Sequence, residues 1–302
     1  MMDALSPTDR GVSESFNGQA MSEVSLTSSA KKDDGVSLPA QSLRALKRHW
    51  PEYLIEAAGL SVFMISACAF ATLLFHPASP APKIVANPFL QRMLMGAAMG
   101  LTAVAIIYSP WGKRSGAHIN PAVTLTFYRL GKVEGWDALL YMLAQFAGGI
   151  LGVLISIFFL GNLLADPSVN YVTTVPGENG LAVAFMAEAF ISFILMMTVL
   201  VVSNTKRAAH LTGLAAGALV FIYISFESPL SGMSMNPART VASAAPAHLW
   251  TALWLYFTAP PAGMFLAAEL YSRVKGRSAV ACAKLHHRNN ERCIFHCNYQ
   301  KD

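Results

Sequence analysis

Six apolar stretches, each near the length a bilayer demands, constrain this chain more than any other feature. They run roughly 53–75, 89–108, 137–160, 181–202, 211–227 and 250–272, where a helix needs about 20 predominantly apolar residues to cross a hydrocarbon core. Only 13 % of the 302 residues are charged and 54 % are hydrophobic, whereas a soluble domain carries about a quarter charged residues. The deficit marks lipid as the solvent, and the fold class expected is an all-α membrane protein.

Two further apolar pieces, 120–130 and 236–246, are too short to span. Each follows a Gly-containing loop, Ser115-Gly116-Ala117-His118 and Ser231-Gly232-Met233-Ser234, and each opens on Asn-Pro-Ala. Proline is tolerated in a first helical turn because its missing N–H has no intrahelical partner there. Both pieces therefore read as short helices with defined starts. The surroundings repeat as well: Glu56 and Glu188 sit in matching four-residue contexts, and Tyr141 to Gly148 parallels Tyr256 to Gly263. Each half holds three spans, an odd number, so the halves insert in opposite orientations. Inverted repeats of this kind place their site near the midplane, where broken helices meet. The first repeat is read over about 50–160 and the second over about 181–275, within a membrane domain at 49–275.

Lysine and arginine set the orientation. Arg44, Lys47, Arg48, Lys113, Arg114, Arg129, Lys132, Lys206, Arg207, Arg273, Lys275 and Arg277 fall on one face if the six spans alternate, while the opposite loops at about 76–88 and 161–180 hold only Lys83. The positive-inside rule makes both termini cytoplasmic. The net charge of +5 thus serves topology, and no nucleic-acid partner is expected. Residues 1–48 lack an apolar run and read as a disordered cytoplasmic tail. Residues 276–302 form a basic cytoplasmic tail in which Cys282, His286, His287, Cys293, His296 and Cys297 crowd together. A metal site and a plain reduced tail are both open for it, since the spacing matches no familiar zinc finger.

A half-helix that begins at membrane depth must aim its free N–H groups at protein or at a wet cavity. Its N-terminus also carries roughly half a positive charge. Two such ends meeting head to head disfavour cations and protons. Asn120 and Asn236 stand at the caps, where asparagine is preferred; the side-chain oxygen can cap the helix while the amide N–H₂ points into the lumen and turns a passing water.

The stretches Ser115-Gly-Ala-His-Ile-Asn-Pro-Ala-Val-Thr124 and Ser231-Gly-Met-Ser-Met-Asn-Pro-Ala-Arg-Thr240 closely resemble the two signature loops of the aquaporin, or major intrinsic protein, family, over about residues 50–275. The resemblance implies six transmembrane helices plus two half-helices, a homotetramer in the bilayer, and pore motifs at Asn120, Pro121, Ala122, Asn236, Pro237 and Ala238. It further implies an outer constriction at Met99, Ile224, Met233 and Arg239. Water-selective members usually carry Phe, His and a small residue or Cys at the first three positions; the histidine is missing here. Thr240, where glycerol-passing members typically have Asp, and the Tyr256-Phe257 pair in span six favour the water-type branch.

The function expected is a passive channel for water, with other small neutral solutes admitted and with ions and protons excluded. A channel mainly for solutes such as glycerol, urea, ammonia or hydrogen peroxide is the alternative. A second alternative of another class is an ion-coupled transporter using Glu56 and Glu188. The expected task of Glu56 and Glu188, helped by Gln145, is plainer: to accept hydrogen bonds from the irregular backbone of the signature loops. No cofactor and no covalent step are needed, so enzymatic activity is not expected.

Overall fold

The computed structural model describes residues 38–299. Eight principal helices follow the apolar pattern: α1 (Leu38–Phe75), α2 (Pro88–Tyr108), α3 (Pro121–Arg129), α4 (Gly135–Leu160), α5 (Gly180–Ser203), α6 (Thr212–Phe226), α7 (Pro237–Ala247) and α8 (Leu253–Lys275). No strand occurs among the described residues. The starts obey local chemistry. The side chain of Asn87, for example, accepts the N–H groups of Phe89 and Leu90 at 2.9 and 3.2 Å, with Pro88 in the first turn of α2.

The tail expected over residues 1–48 lies outside the described residues as far as position 37, and its last part is helical. α1 begins at Leu38, not near residue 49. Its 38 residues reach about 57 Å at 1.5 Å per residue, well beyond a core of about 30 Å. Side-chain contacts hold the extra turns: Trp136 Nε1 donates to Gln41 at 3.4 Å and Tyr53 OH donates to the carbonyl of Ala45 at 3.2 Å.

Five helices are both long enough and apolar enough to cross a membrane by composition alone: α1, α2, α4, α5 and the segment containing α6. The sixth expected span, α8, has the length, 23 residues, but carries Pro260, Pro261, Glu269, Arg273 and Lys275. Its place comes from packing rather than from hydropathy. α8 lies along α5 just as α1 lies along α4, and α2 crosses α6. α7 packs on α4 as α3 packs on α8. The two halves are thus related by a pseudo-twofold, as the inverted repeat requires.

Close helix approach needs glycine at two matched sites. A Cβ on Gly148 of α4 would lie 2.0 Å from the carbonyl oxygen of Ala57, and one on Gly263 of α8 would lie 2.0 Å from that of Ala189. Small residues let backbones touch where lipid offers no hydrophobic gain. On the outside, Leu101, Phe158, Phe159, Met186, Phe190 and Leu266 are exposed, which suits a surface facing acyl chains.

Candidate functional site

α3 and α7 have nine and eleven residues, about 14 and 17 Å long, each roughly half a bilayer core. The loops before them are built alike. Gly116 and Gly232 have φ of +99° and +81°, and Ala117, Ile119, Met233 and Met235 also have positive φ. Such conformations cost on the order of 1–3 kcal/mol each in non-glycine residues and persist only where surroundings over-determine them.

Two buried carboxylates supply that determination. Glu56 accepts Ser115 Oγ at 2.7 Å, His118 N at 3.1 Å and Ile119 N at 2.6 Å. Glu188 accepts Ser231 Oγ at 2.8 Å, Ser234 N at 2.6 Å and Met235 N at 2.7 Å. Tyr141 OH and Tyr256 OH donate to the carbonyls of Ser115 and Ser231 at 2.8 and 2.6 Å. Gln145 Nε2 donates to Glu56 at 2.8 Å and to Thr124 at 3.1 Å. Its counterpart in the second half is Pro260, so this support is present only once. Glu227 was not singled out from the sequence. It is buried at the end of α6 and hydrogen-bonds Ser231 beside Glu188; an acid ending an apolar span was the available signal.

The two asparagines cap their helices and also tie the loops together. Asn120 Oδ1 accepts Ala122 N at 2.9 Å, and Asn236 Oδ1 accepts Ala238 N at 3.0 Å and Arg239 N at 3.2 Å. Asn120 Nδ2 donates to the carbonyl of Met235, and Asn236 Nδ2 to that of Ile119, both at 2.8 Å. The expectation that the whole N–H₂ group faces the lumen therefore needs correction. One N–H of each amide is spent on the opposite loop, because the loop carbonyls need a partner. Each amide keeps a second N–H, and both residues line the central cavity.

A cavity of about 290 Å³ passes both asparagines. Met99, Ile224, Met233 and Arg239 all line it, together with Asn120 and Asn236. Met95, one turn before Met99, lines it too and was not anticipated. Most of the wall is apolar: Leu60, Phe63, Val123, Leu195 and Val220 contribute. Arg239 is one of the polar groups on the wall, and its Nη1 is buried without a hydrogen-bond partner among the described residues. One end of the cavity is reached by Arg92 and Val169, the other by Leu285 of the C-terminal tail.

That tail is packed against the protein. Val280, Ala283, Lys284 and Leu285 are buried, and Lys284 Nζ donates to the carbonyls of Glu291 and Arg292 at 3.2 and 2.7 Å. Of its six candidate ligands, four converge: one ligand atom each from Cys282, His287, Cys293 and Cys297 lies within 4.8 Å of all the others. His286 turns instead to Tyr108, ring centroids 5.0 Å apart, and His296 binds Glu134 at 2.6 Å and the carbonyl of Gly131 at 2.9 Å.

The comparison with known families decides the class. The model described as "Major intrinsic protein" matches residues 43–271. The chain belongs to the major intrinsic protein family. Among curated members, "Aquaporin NIP2-3" of Zea mays is 36 % identical over 199 residues, covering 66 % of this chain and 64 % of that protein. "Aquaporin NIP6-1" of Arabidopsis thaliana is 37 % identical over 180 residues, covering 59 % of this chain and 57 % of its own length. The chain thus spans less than two thirds of the length of these relatives. An aquaglyceroporin structure from Plasmodium falciparum shares the fold, with a TM-score of 0.64 at 20 % identity, covering 76 % of this chain and 98 % of that one. As a family member this chain is an integral membrane protein.

Proposed function

We propose that the chain is a passive channel for water and small neutral solutes that excludes ions and protons. The observation that carries this reading is the cavity. A mostly apolar wall presents Asn120, Asn236 and Arg239 where the N-termini of α3 and α7 meet. The spare amide N–H groups offer donors to a solute oxygen, and the paired helix ends and the Arg239 guanidinium oppose cations. Relatives at 36 and 37 % identity bear the name aquaporin, which supports the same class.

Met99, Ile224, Met233 and Arg239 act as the selectivity constriction, and Glu56, Glu188 and Gln145 hold the loops. With Met and Ile where a strict water filter carries Phe and His, the filter is more apolar, and this favours small neutral solutes as additional cargo. Ion-coupled transport finds no free coupling group in Glu56 or Glu188, since both spend their oxygens on backbone N–H groups. Both termini face the cytoplasm and the chain assembles as a homotetramer in the bilayer. Stopped-flow shrinkage and swelling of proteoliposomes tests the reading: water and small-solute flux down a gradient, with no proton leak, is expected. Accumulation of solute against a gradient, lost in Glu188→Gln, would overturn it in favour of a transporter.

A further inference from the structure

The C-terminal tail carries a second kind of chemistry that conduction does not use. Three thiols and one imidazole from a short stretch gather at one point: Cys282 Sγ is 3.5 Å from Cys293 Sγ, and Cys297 Sγ is 2.9 Å from His287 Nε2. In a tetrahedral zinc site with Zn–S near 2.3 Å and Zn–N near 2.0–2.1 Å, neighbouring ligand atoms stand about 3.5–3.8 Å apart. All four atoms here lie within 4.8 Å of one another. Three sulfurs and one imidazole nitrogen form a closed, soft set of the structural type, with no oxygen donor to favour magnesium or calcium. A disulfide would use two of the thiols and leave the convergence of the other two ligands without a role.

The same stretch reaches one end of the cavity. Leu285, between the first two ligands, lines the cavity, and its N–H donates to the carbonyl of Gly116 at 3.1 Å. Ala283 offers its carbonyl to His118 Nε2 at 2.8 Å, and Phe295 stacks on the His118 ring at 5.4 Å between centroids. His118 belongs to the first signature loop and Glu56 holds its backbone. Apart from one short turn at Arg277–Ala279, residues 276–299 have no helix or strand to order them. A bound ion would tie 282–287 to 293–297 and supply the order that secondary structure does not.

We infer that Cys282, His287, Cys293 and Cys297 bind one Zn²⁺ per chain, and that the clamped tail seats Leu285 in the inner mouth of the cavity as a metal-dependent stopper. The thiols bind as thiolates, releasing their protons to solvent. The metal site stands on its own geometry; the stopper rests on the channel reading.

The experiment uses the full chain, purified in detergent and reconstituted, with metal content measured by elemental analysis. About one zinc per chain is expected in the native protein and almost none in a Cys282→Ser, Cys293→Ser, Cys297→Ser triple variant. Zinc near zero in the native protein, or zinc retained by the triple variant, overturns the site. So does a Cys282–Cys293 disulfide found by thiol titration under denaturing, non-reducing conditions. Trypsin should cut at Arg288 and Arg292, both exposed, much faster after removal of zinc by a chelator, and zinc should restore protection. Chelation should raise water permeability severalfold, and Leu285→Gly should raise it with zinc still bound. Unchanged permeability in both cases, with zinc demonstrably gained and lost, overturns the stopper. Absence of any flux both with zinc bound and after its removal counts against the channel reading and leaves the metal site supported.

Discussion

The amide nitrogen of Asn120 donates at 2.8 Å to the backbone carbonyl of Met235, on the loop that precedes the other Asn-Pro-Ala helix. Asn236 returns the contact to Ile119 at the same distance. The two halves are therefore joined at the point where each is broken. The asparagines serve two loads at once, capping their own helices and satisfying the opposite loop. Their energetics should be coupled: single substitutions to alanine should each cost about 1–2 kcal/mol for the lost cap, and the Asn120→Ala, Asn236→Ala double variant should deviate from additivity by about 0.5–3 kcal/mol. Unfolding in detergent measures this; strict additivity would show that the cross-loop pair contributes nothing.

Glu188 should resist even a conservative change. Its two oxygens receive a hydroxyl and two backbone N–H groups. Glutamine replaces one acceptor with a donor and turns it against an N–H. An unsatisfied buried group costs about 1–3 kcal/mol, so Glu188→Gln should lower the unfolding midpoint and the yield of folded protein. A variant as stable as the native chain would mean that the carboxylate is not what holds the loop.

Arg239 lines the cavity, and one of its nitrogens has no hydrogen-bond partner among the described residues. Arg239→Ala removes bulk and positive charge together. Uptake of solutes the size of glycerol should rise roughly tenfold, equivalent to about 1.4 kcal/mol, and proton or cation leak should become measurable. If solute range and leak both stay as they were, the constriction lies elsewhere along the pore.

At Ile224 the opposite change is informative. Ile224→His restores the polar residue of water-type filters and narrows an apolar stretch otherwise formed by flexible methionines. The ratio of glycerol to water permeability should fall. A ratio that stays constant would show that Ile224, although on the cavity wall, does not set selectivity.

Gly148 and Gly263 test the pseudo-twofold. Alanine at either site would push a methyl within 2.0 Å of a backbone carbonyl oxygen. Overpacking costs typically about 1–3 kcal/mol, and the two losses should be similar because the sites are repeat-related. Thermal unfolding of the two single variants would expose any asymmetry between the halves.

Much of the architecture was legible because lipid imposes simple rules on a sequence. Span length, the two short pieces opening on Asn-Pro-Ala, and the matched positions of Glu56 and Glu188 all follow from the need to satisfy every backbone group. The start of α1 was less legible. The turns from Leu38 onward owe their helix to contacts such as Gln41 with Trp136, which no local pattern announces. α8 showed the reverse: it was expected as a span and is long enough, but two prolines and three charges dilute its hydropathy, and its position comes from packing against α5.

The sequence by itself determined that this chain is a broken-helix inverted repeat in a membrane, because periodicity, cap chemistry and the cost of bare backbone in lipid are local properties. Only the tertiary structure decided where the asparagine amides point, since their partners Met235 and Ile119 lie more than a hundred residues away in the chain. Tertiary structure also sorted the six tail candidates, bringing Cys282, His287, Cys293 and Cys297 together and sending His286 and His296 elsewhere. Convergence of ligands is a property of the folded path of a chain, and spacing along the sequence does not contain it.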